Sequence, residues 1–548
     1  MLRVYWYQPA WRYSVGDCLQ ELRAGDPVIE VLGADNPRLV TAVREGKPNS
    51  KERKEPDYIE LVFHDDQARR RSCCGPETPW QAQPGRKPRH KQRRGIVRLK
   101  TFYQVRWLLV GSLLSGIAVA QQQLRAVVPA QMSASTNRFY SPGVDAGDYV
   151  YISGQGLRRL DRNSMSNFSV QVRQALDNVK AIVEAAGLTM DHIVYTQVYL
   201  EDISKYREMN AAFAEYFGKT PPARAVLGVA RLPESPVQIS AVAVRNLAGR
   251  RAIYPPNYRS DDAASPGILT HDRLFVSSMT GGDPVSGDVP RDPGAQVDLA
   301  LDRLQAVVKA AGLEFSHMVF VNPYLTSEIP VRVMNERYAR RFEFGNTPAR
   351  ATIEVSSLPG GAHIEYTGVA VVDLRQREAI RPKNMPPSPT ASPCVFAGDT
   401  LYCSAKSGFI PGPHGGVYAS TTPHQLRQTM RNLLDNLEEA EMSFDQVVAT
   451  NLYLDDMSDL PSFDAVYSQY FGPVPPTRTT IQQIAPAERK ADKDDHYPDL
   501  EQVSLIAVRG PRSPKPARRG AVLPHGVDQS HSRFGLTLCI NESNSVHP

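Results

Sequence analysis

The sequence predicts an α+β protein made of three tandem copies of one domain. Three observations carry that expectation. A pattern of helix followed by strand recurs at residues 178–200, 303–325 and 432–454. A Pro-x-Arg element recurs as Pro222-Ala223-Arg224, Pro348-Ala349-Arg350 and Pro476-Thr477-Arg478, the arginines standing 126 and 128 residues apart. That period is the size of a domain, well beyond the roughly 20–50 residues of solenoid repeats.

Taken in order, residues 1–96 read poorly as a domain. Their short apolar stretches at 28–32 and 59–63 are broken by the charged 47–55 and the basic, Pro-rich 86–94. They read as a poorly ordered basic region or as sequence upstream of the true start. Residues 97–120 look like a secretory signal peptide. Arg98, Lys100 and Arg106 precede an apolar run at 107–120, which closes with Ala118-Val119-Ala120. Its internal position is reconciled if the true start lies near residue 97, which makes the protein secreted or periplasmic. The alternative is a buried helix in a cytoplasmic protein.

The three domains are expected at 133–247, 262–375 and 388–510, followed by a disordered tail at 511–548. Each opens with a β-hairpin. In the first helix Leu176, Val179, Ile182 and Val183 fall on one face at helical spacing, and Gly187 and Gly312 suit a C-terminal cap that needs positive φ. The strands at 193–200, 318–325 and 447–454 are rich in Val and Tyr. A second helix is expected over 206–217, 333–342 and 463–471, and two strands close each domain, at 225–230 and 237–244 in the first.

Composition sets limits. An apolar fraction of 41% with 22% charged residues belongs to a globular chain. No apolar run approaches the ~20 residues of a membrane-spanning helix. The net charge of +5 is unevenly spread: residues 1–106 carry +8, residues 509–548 carry +4, and the region between carries −7. An acidic folded region does not suit a nucleic-acid groove. None of the six cysteines has CxxC spacing, and the twelve histidines form no HxH or HxxxH cluster, so no metal site is expected. Cys394 and Cys403 flank a turn; they read as two buried thiols, with pairing across a hairpin as the alternative.

Three positions could carry chemistry. Proline holds the backbone before Arg224, Arg350 and Arg478 extended, and a guanidinium fixed there can grip a carboxylate with two parallel hydrogen bonds. The last strand offers Glu365, which could move protons or orient water, with Gln238 and Gln502 in the other copies. The first hairpin ends in Ser153-Gly154-Gln155, where Gly154 permits close approach to the backbone. No His/Asp pair marks Ser153 as a nucleophile, and no glycine-rich phosphate loop occurs.

In order, Tyr140, Ser153-Gly154-Gln155, the helix at 176–187, Asn210, Pro222-Ala223-Arg224 and Leu232-Pro233 resemble the RidA/YjgF family of enamine/imine deaminases, historically also called L-PSP endoribonucleases. The resemblance implies a chorismate-mutase-like mixed sheet with two helices, assembled as trimers with a cleft at each interface. It implies that the Pro-x-Arg arginine binds a substrate carboxylate and that a last-strand glutamate helps water attack the imine. The products are a 2-keto acid and ammonia, and no metal or organic cofactor is needed. Carried over, the arginine is present three times, but the glutamate only as Glu365. Tyr140 gives way to Ala264 and Ala391, and Ser-Gly-Gln becomes Ser277-Ser278-Met279 and Ser404-Ala405-Lys406. Asn210 and Asn335 are kept, with Asp464 in the third copy. Val226, Thr352 and Thr480 stand where many members have cysteine.

Three fused copies imply an intramolecular pseudo-trimer, one chain building what three subunits build elsewhere. The cleft expected to be catalytic holds Arg350 and Glu365, completed by Tyr140 and Ser153 of the first copy. Arg224, Arg478, Gly154, Asn210, Asn335 and Gln238 are the further substrate-binding candidates. The expected function is hydrolytic deamination of carboxylate-bearing enamines or imines, by a monomeric chain with no nucleic-acid partner. The alternatives are carboxylate binding without turnover and, against the acidic charge, endoribonuclease action. Export would separate the protein from cytosolic pyridoxal-phosphate enzymes and point to a different substrate.

Overall fold

A computed structural model describes residues 4–6, 30–33, 37–45, 59–63, 124–132, 139–157, 167–256, 258, 263–283, 286–383, 385–411, 416–484 and 497–510. The signal-like segment at 97–120 and the tail at 511–548 lie outside these residues, as does most of 1–96. Within 1–96, the strands β1 (Val4–Trp6), β2 (Glu30–Gly33), β3 (Pro37–Glu45) and β4 (Ile59–Phe63) form one sheet in that order. Both apolar stretches noted in the sequence overlap strands of it.

From residue 124 the chain repeats one architecture three times. The first repeat comprises β5 (Arg125–Val127), β6 (Gly143–Asp145), β7 (Tyr149–Gln155), α1 (Phe168–Ala185), β8 (Ile193–Leu200), α2 (Tyr206–Ala214), β9 (Ala223–Gly228) and β10 (Val237–Val244). Its sheet runs β5-β6-β7-β10-β8-β9. All neighbours are antiparallel except β8 and β9, so the sheet is mixed. The parallel pair is possible because α2 crosses over between its two strands.

The second repeat has β11 (Arg251–Ile253), β12 (Gly267–Leu269), β13 (Arg273–Thr280), α3 (Pro293–Ala310), β14 (Met318–Leu325), α4 (Val331–Ala339), β15 (Ala349–Arg350), β16 (Ile353–Glu354) and β17 (Ile364–Val371). The third has β18 (Arg377–Ile380), β19 (Cys394–Ala397), β20 (Thr400–Lys406), α5 (Thr422–Glu439), β21 (Val447–Leu454), α6 (Leu460–Tyr467), β22 (Thr477–Gln482) and β23 (Glu501–Val508). Both sheets repeat the first order, the second with its edge strand split into β15 and β16.

Local sequence explains the helices. Asn167 caps α1 by accepting from Ser169 N–H at 3.1 Å, and Asp292 caps α3 by accepting from Ala295 N–H at 2.7 Å with Pro293 following it. Gly187 and Gly312 take φ of 75° and 80° just past α1 and α3, as their spacing predicts. The third repeat has Glu441 there, held at φ 58°. The second helices are shorter than expected, ending at Ala214, Ala339 and Tyr467. The aromatic residues after them pack back instead of continuing the helix: Phe217 lies 4.7 Å from Phe213, and Phe342 4.7 Å from Tyr338.

One face of each sheet carries its helices. In the first repeat Val172, Leu176, Val179, Ile182 and Val183 are buried against Val150, Val198 and Ile239. The opposite faces of the three sheets bury one another. One shared core takes Tyr199 and Leu227 from the first repeat, Phe320 and Tyr324 from the second, and Tyr402, Tyr453 and Ile481 from the third. With both faces buried, the strands read as nearly continuous apolar and aromatic runs.

The seams between repeats form a closed cycle. Ser277 Oγ accepts Arg224 N–H at 2.7 Å, Ser404 Oγ accepts Arg350 N–H at 2.8 Å, and Ser153 Oγ accepts Arg478 N–H at 2.9 Å. The first repeat thus meets the second, the second the third, and the third the first. Each serine hydroxyl donates in turn to a carbonyl twelve residues earlier in its own repeat.

Four residues before these serines stand Tyr149, Arg273 and Thr400. Identical arginines at this place would repel one another. Here the Arg273 guanidinium lies 4.3 Å from the Tyr149 ring centre and donates to Thr400 Oγ1 at 2.7 Å. Asp272 pairs with its Nε at 3.1 Å. Arg273 is fully buried, so these contacts replace its lost hydration.

Cys394 and Cys403 sit directly opposite on β19 and β20 and are joined by a disulfide. The reading as two buried thiols is therefore corrected: antiparallel register brings the two β-carbons within bonding reach.

Candidate active site

The seam geometry decides which residues share a cleft, and it corrects the expected pairing. Arg350 and Glu365 belong to one repeat but face different neighbours. Arg350 N–H is fixed to Ser404, so its cleft is completed by the third repeat. That cavity, about 390 Å³, is lined by Arg350, Thr352 and Glu354 from the second repeat and by Ser404, Ala405, Lys406 and Gln502 from the third. Glu365 lies opposite Thr280 across β13 and β17, with the Ser278 hydroxyl acting on its carboxyl. Ser277 on the same strand β13 holds Arg224 N–H, so Glu365 stands on the repeat that meets the first, while the cation acting on its carboxyl is Arg303 of its own repeat. Tyr140 and Ser153 of the first repeat meet neither; they belong with Arg478. One-dimensional spacing reports which residues share a strand. It does not report which neighbour a strand edge meets.

At the first-to-second seam, the Arg224 guanidinium lies 4.6 Å from the Phe213 ring centre and 6.0 Å from that of Tyr206. Asn210 stands in α2 beside Phe213, the helix whose ring supports the guanidinium. Glu365 is fully buried, and neither of its carboxyl oxygens is satisfied by a hydrogen bond among the described residues. Burial pushes its pKa up to about 8, against weaker opposing pulls from the Ser278 hydroxyl and the Arg303 charge. An acid with this value can give a proton and take one back near neutrality.

In the second-to-third cleft Gln502 takes the place of Glu365, opposite Tyr453 as Glu365 is opposite Tyr324; the buried acid beside it, Glu501, accepts instead from the Thr429 hydroxyl of α5. The Arg350 guanidinium donates to Asn335 Oδ1 at 2.7 Å and lies 5.2 Å from the Tyr338 ring centre. Burial holds its pKa below the usual arginine value. In the third-to-first cleft, Arg478 is paired with Asp464 at 2.5 Å and flanked by Phe139, Tyr140 and Tyr467 at 5.9, 5.1 and 5.4 Å. A Cβ on Gly154 would stand 2.4 Å from Gln238 Oε1, so Gln238 already lies over that glycine. The Ser153 hydroxyl, expected to meet substrate, is occupied at the seam by Ser141 O and Arg478 N–H.

Sequence reasoning missed Lys406 as a cavity residue, although its replacement of a glutamine was visible. Arg273 was missed altogether, because its partners come from the other two repeats. Among the described residues no group of three or more His, Cys, Asp or Glu side chains could hold a metal ion. None of the described helices is long and apolar enough to cross a membrane.

Three copies of one mixed-sheet unit, each fixing an arginine against a serine on its neighbour's hairpin strand, define a class of α+β proteins built around the seams between like units. The family model Endoribonuclease L-PSP matches residues 131–245, 261–372 and 384–489. The chain belongs to that family, also known as RidA/YjgF. It is 41% identical over 111 residues to the 2-iminobutanoate/2-iminopropanoate deaminase of Escherichia coli, covering 19% of this chain and 87% of the relative. It is 37% identical over 111 residues to a RutC family protein of Pyrococcus horikoshii, covering 19% and 86% respectively. The crystal structure of the YjgF gene product of E. coli matches with 36% identity over 22% of this chain and 99% of that one, at a TM-score of 0.19.

Proposed function

We propose that the protein hydrolyses carboxylate-bearing enamine or imine intermediates to 2-keto acids and ammonia, and that it does so in the cleft between the first and second repeats. The observation that carries this reading is Glu365, a buried carboxyl with unsatisfied oxygens and a pKa near 8, set beside the Ser277–Arg224 seam. Arg224 holds the substrate carboxylate and fixes the imine carbon against the last strand. Glu365 takes a proton from the attacking water and returns one to the nitrogen, so the C–N bond breaks as ammonia leaves.

Loss of a general acid–base group costs about 10²–10⁴-fold. Glu365→Gln keeps the shape and removes the proton, so hydrolysis of freshly generated 2-iminopropanoate should fall by at least the lower figure. An unchanged rate rules the assignment out. A second reading, carboxylate binding without turnover, is favoured for the other two clefts by Gln238 and Gln502 at the position of Glu365.

The cyclic seams support a single chain acting as a pseudo-trimer. Light scattering should then give one chain per particle, and a stable trimer of chains would contradict it. The Cys394–Cys403 disulfide suits an oxidising compartment and supports export through the segment at 97–120. A native N-terminus mapped upstream of residue 97 would count against that.

A further inference from the structure

We propose that the cleft between the second and third repeats is a carbonyl-binding site in which Lys406 forms a reversible imine with a 2-keto acid whose carboxylate is held by Arg350. Both side chains line one cavity of about 390 Å³, large enough for a small acid and its waters. Their mutual placement is set by backbone: Arg350 N–H donates to Ser404 Oγ at 2.8 Å, two residues before Lys406. Arg350 is already oriented by Asn335, which is neutral, so its charge stays available to a ligand.

The chemistry of Lys406 separates this cleft from the other two. The equivalent positions, two residues after the seam serines, are Gln155 and Met279, neither of which is a nucleophile. Among the described residues no carboxylate pairs with Lys406. The ionisable groups on its cavity wall are Arg350 and Glu354. Burial alone lowers its pKa, which raises the fraction of free amine that can attack a carbonyl.

The step balances without a further reagent. The Nζ lone pair adds to the ketone carbon to give a carbinolamine. Loss of its hydroxyl, with a proton, as water leaves the C=N bond. Solvent in the cavity supplies that proton and carries the released water away. The site is distinct from the Arg224–Glu365 cleft, and its test does not read deamination, so either reading can fail without the other.

The test is borohydride trapping on the full chain with pyruvate as probe, followed by peptide mass spectrometry. The expected result is a reduced pyruvate adduct concentrated on Lys406, at least tenfold above any other lysine. Lys406→Met, which installs the residue the second repeat already carries, should lose that adduct, and circular dichroism matching wild type excludes misfolding. Arg350→Gln should slow trapping at Lys406 by tenfold or more, and excess propionate should compete. An adduct spread evenly over surface lysines overturns the proposal. So does trapping at Lys406 that is indifferent to both Arg350→Gln and propionate.

Discussion

Burial of Glu365 makes a quantitative statement about stability. Its pKa rises from the ordinary 4.5 to about 8 because the ionised form loses its hydration. In this case the folded value lies above the unfolded one. The folded state therefore holds a proton that the unfolded state has released throughout the window from pH 4.5 to about 8. Stability is complete below that window and falls as pH rises through it. At about 1.4 kcal/mol per pH unit, the whole interval corresponds to about 5 kcal/mol. Glu365→Gln cannot ionise and loses this slope. Urea unfolding of wild type and variant at pH 5, 7 and 9 should show the two converging at pH 5. The variant should gain steadily, by several kcal/mol at pH 9. A constant difference between the two across that range would refute the buried, proton-holding Glu365.

Other perturbations follow from the same contacts. Arg273→Met leaves Asp272, Tyr149 and Thr400 without their shared partner and should cost about 3–5 kcal/mol, read as a lowered urea midpoint. Peptide mapping without reduction should find the Cys394 and Cys403 peptides joined, and reduction should separate them. Asp464→Asn gives the third repeat the asparagine found in the other two. It should raise the affinity of the Arg478 cleft for small carboxylates, measured by calorimetry. Glu441→Gly relieves a side chain at φ 58° and should stabilise the third repeat by about 1 kcal/mol.

Much of the fold could be read along the chain because its signals are local. The strands at 193–200, 318–325 and 447–454 coincide with β8, β14 and β21, and the apolar face of α1 is the buried one. What escaped depends on pairing. The edge strands β5 and β11 are three residues long and β18 four, and they exist only because a neighbour supplies hydrogen bonds. The candidate site residues could be named along the chain, but not which seam each one meets. Arg350 and Glu365 are fifteen residues apart on neighbouring elements, yet each looks across a different seam. The bond between Cys394 and Cys403 likewise depends on hairpin register, which the turn did not fix in advance.

The central claim is that Arg224 and Glu365, from different repeats, form one deaminating site. The direct measurement compares kcat/KM for 2-iminopropanoate hydrolysis in Arg224→Gln, Arg350→Gln and Arg478→Gln. The geometry predicts that Arg224→Gln loses the most, at least tenfold more than either of the others. Its loss should be matched but not compounded by Glu365→Gln in the double variant, because the two residues act on one substrate. A larger loss in Arg350→Gln than in Arg224→Gln would contradict the account and return the catalytic pair to a single repeat.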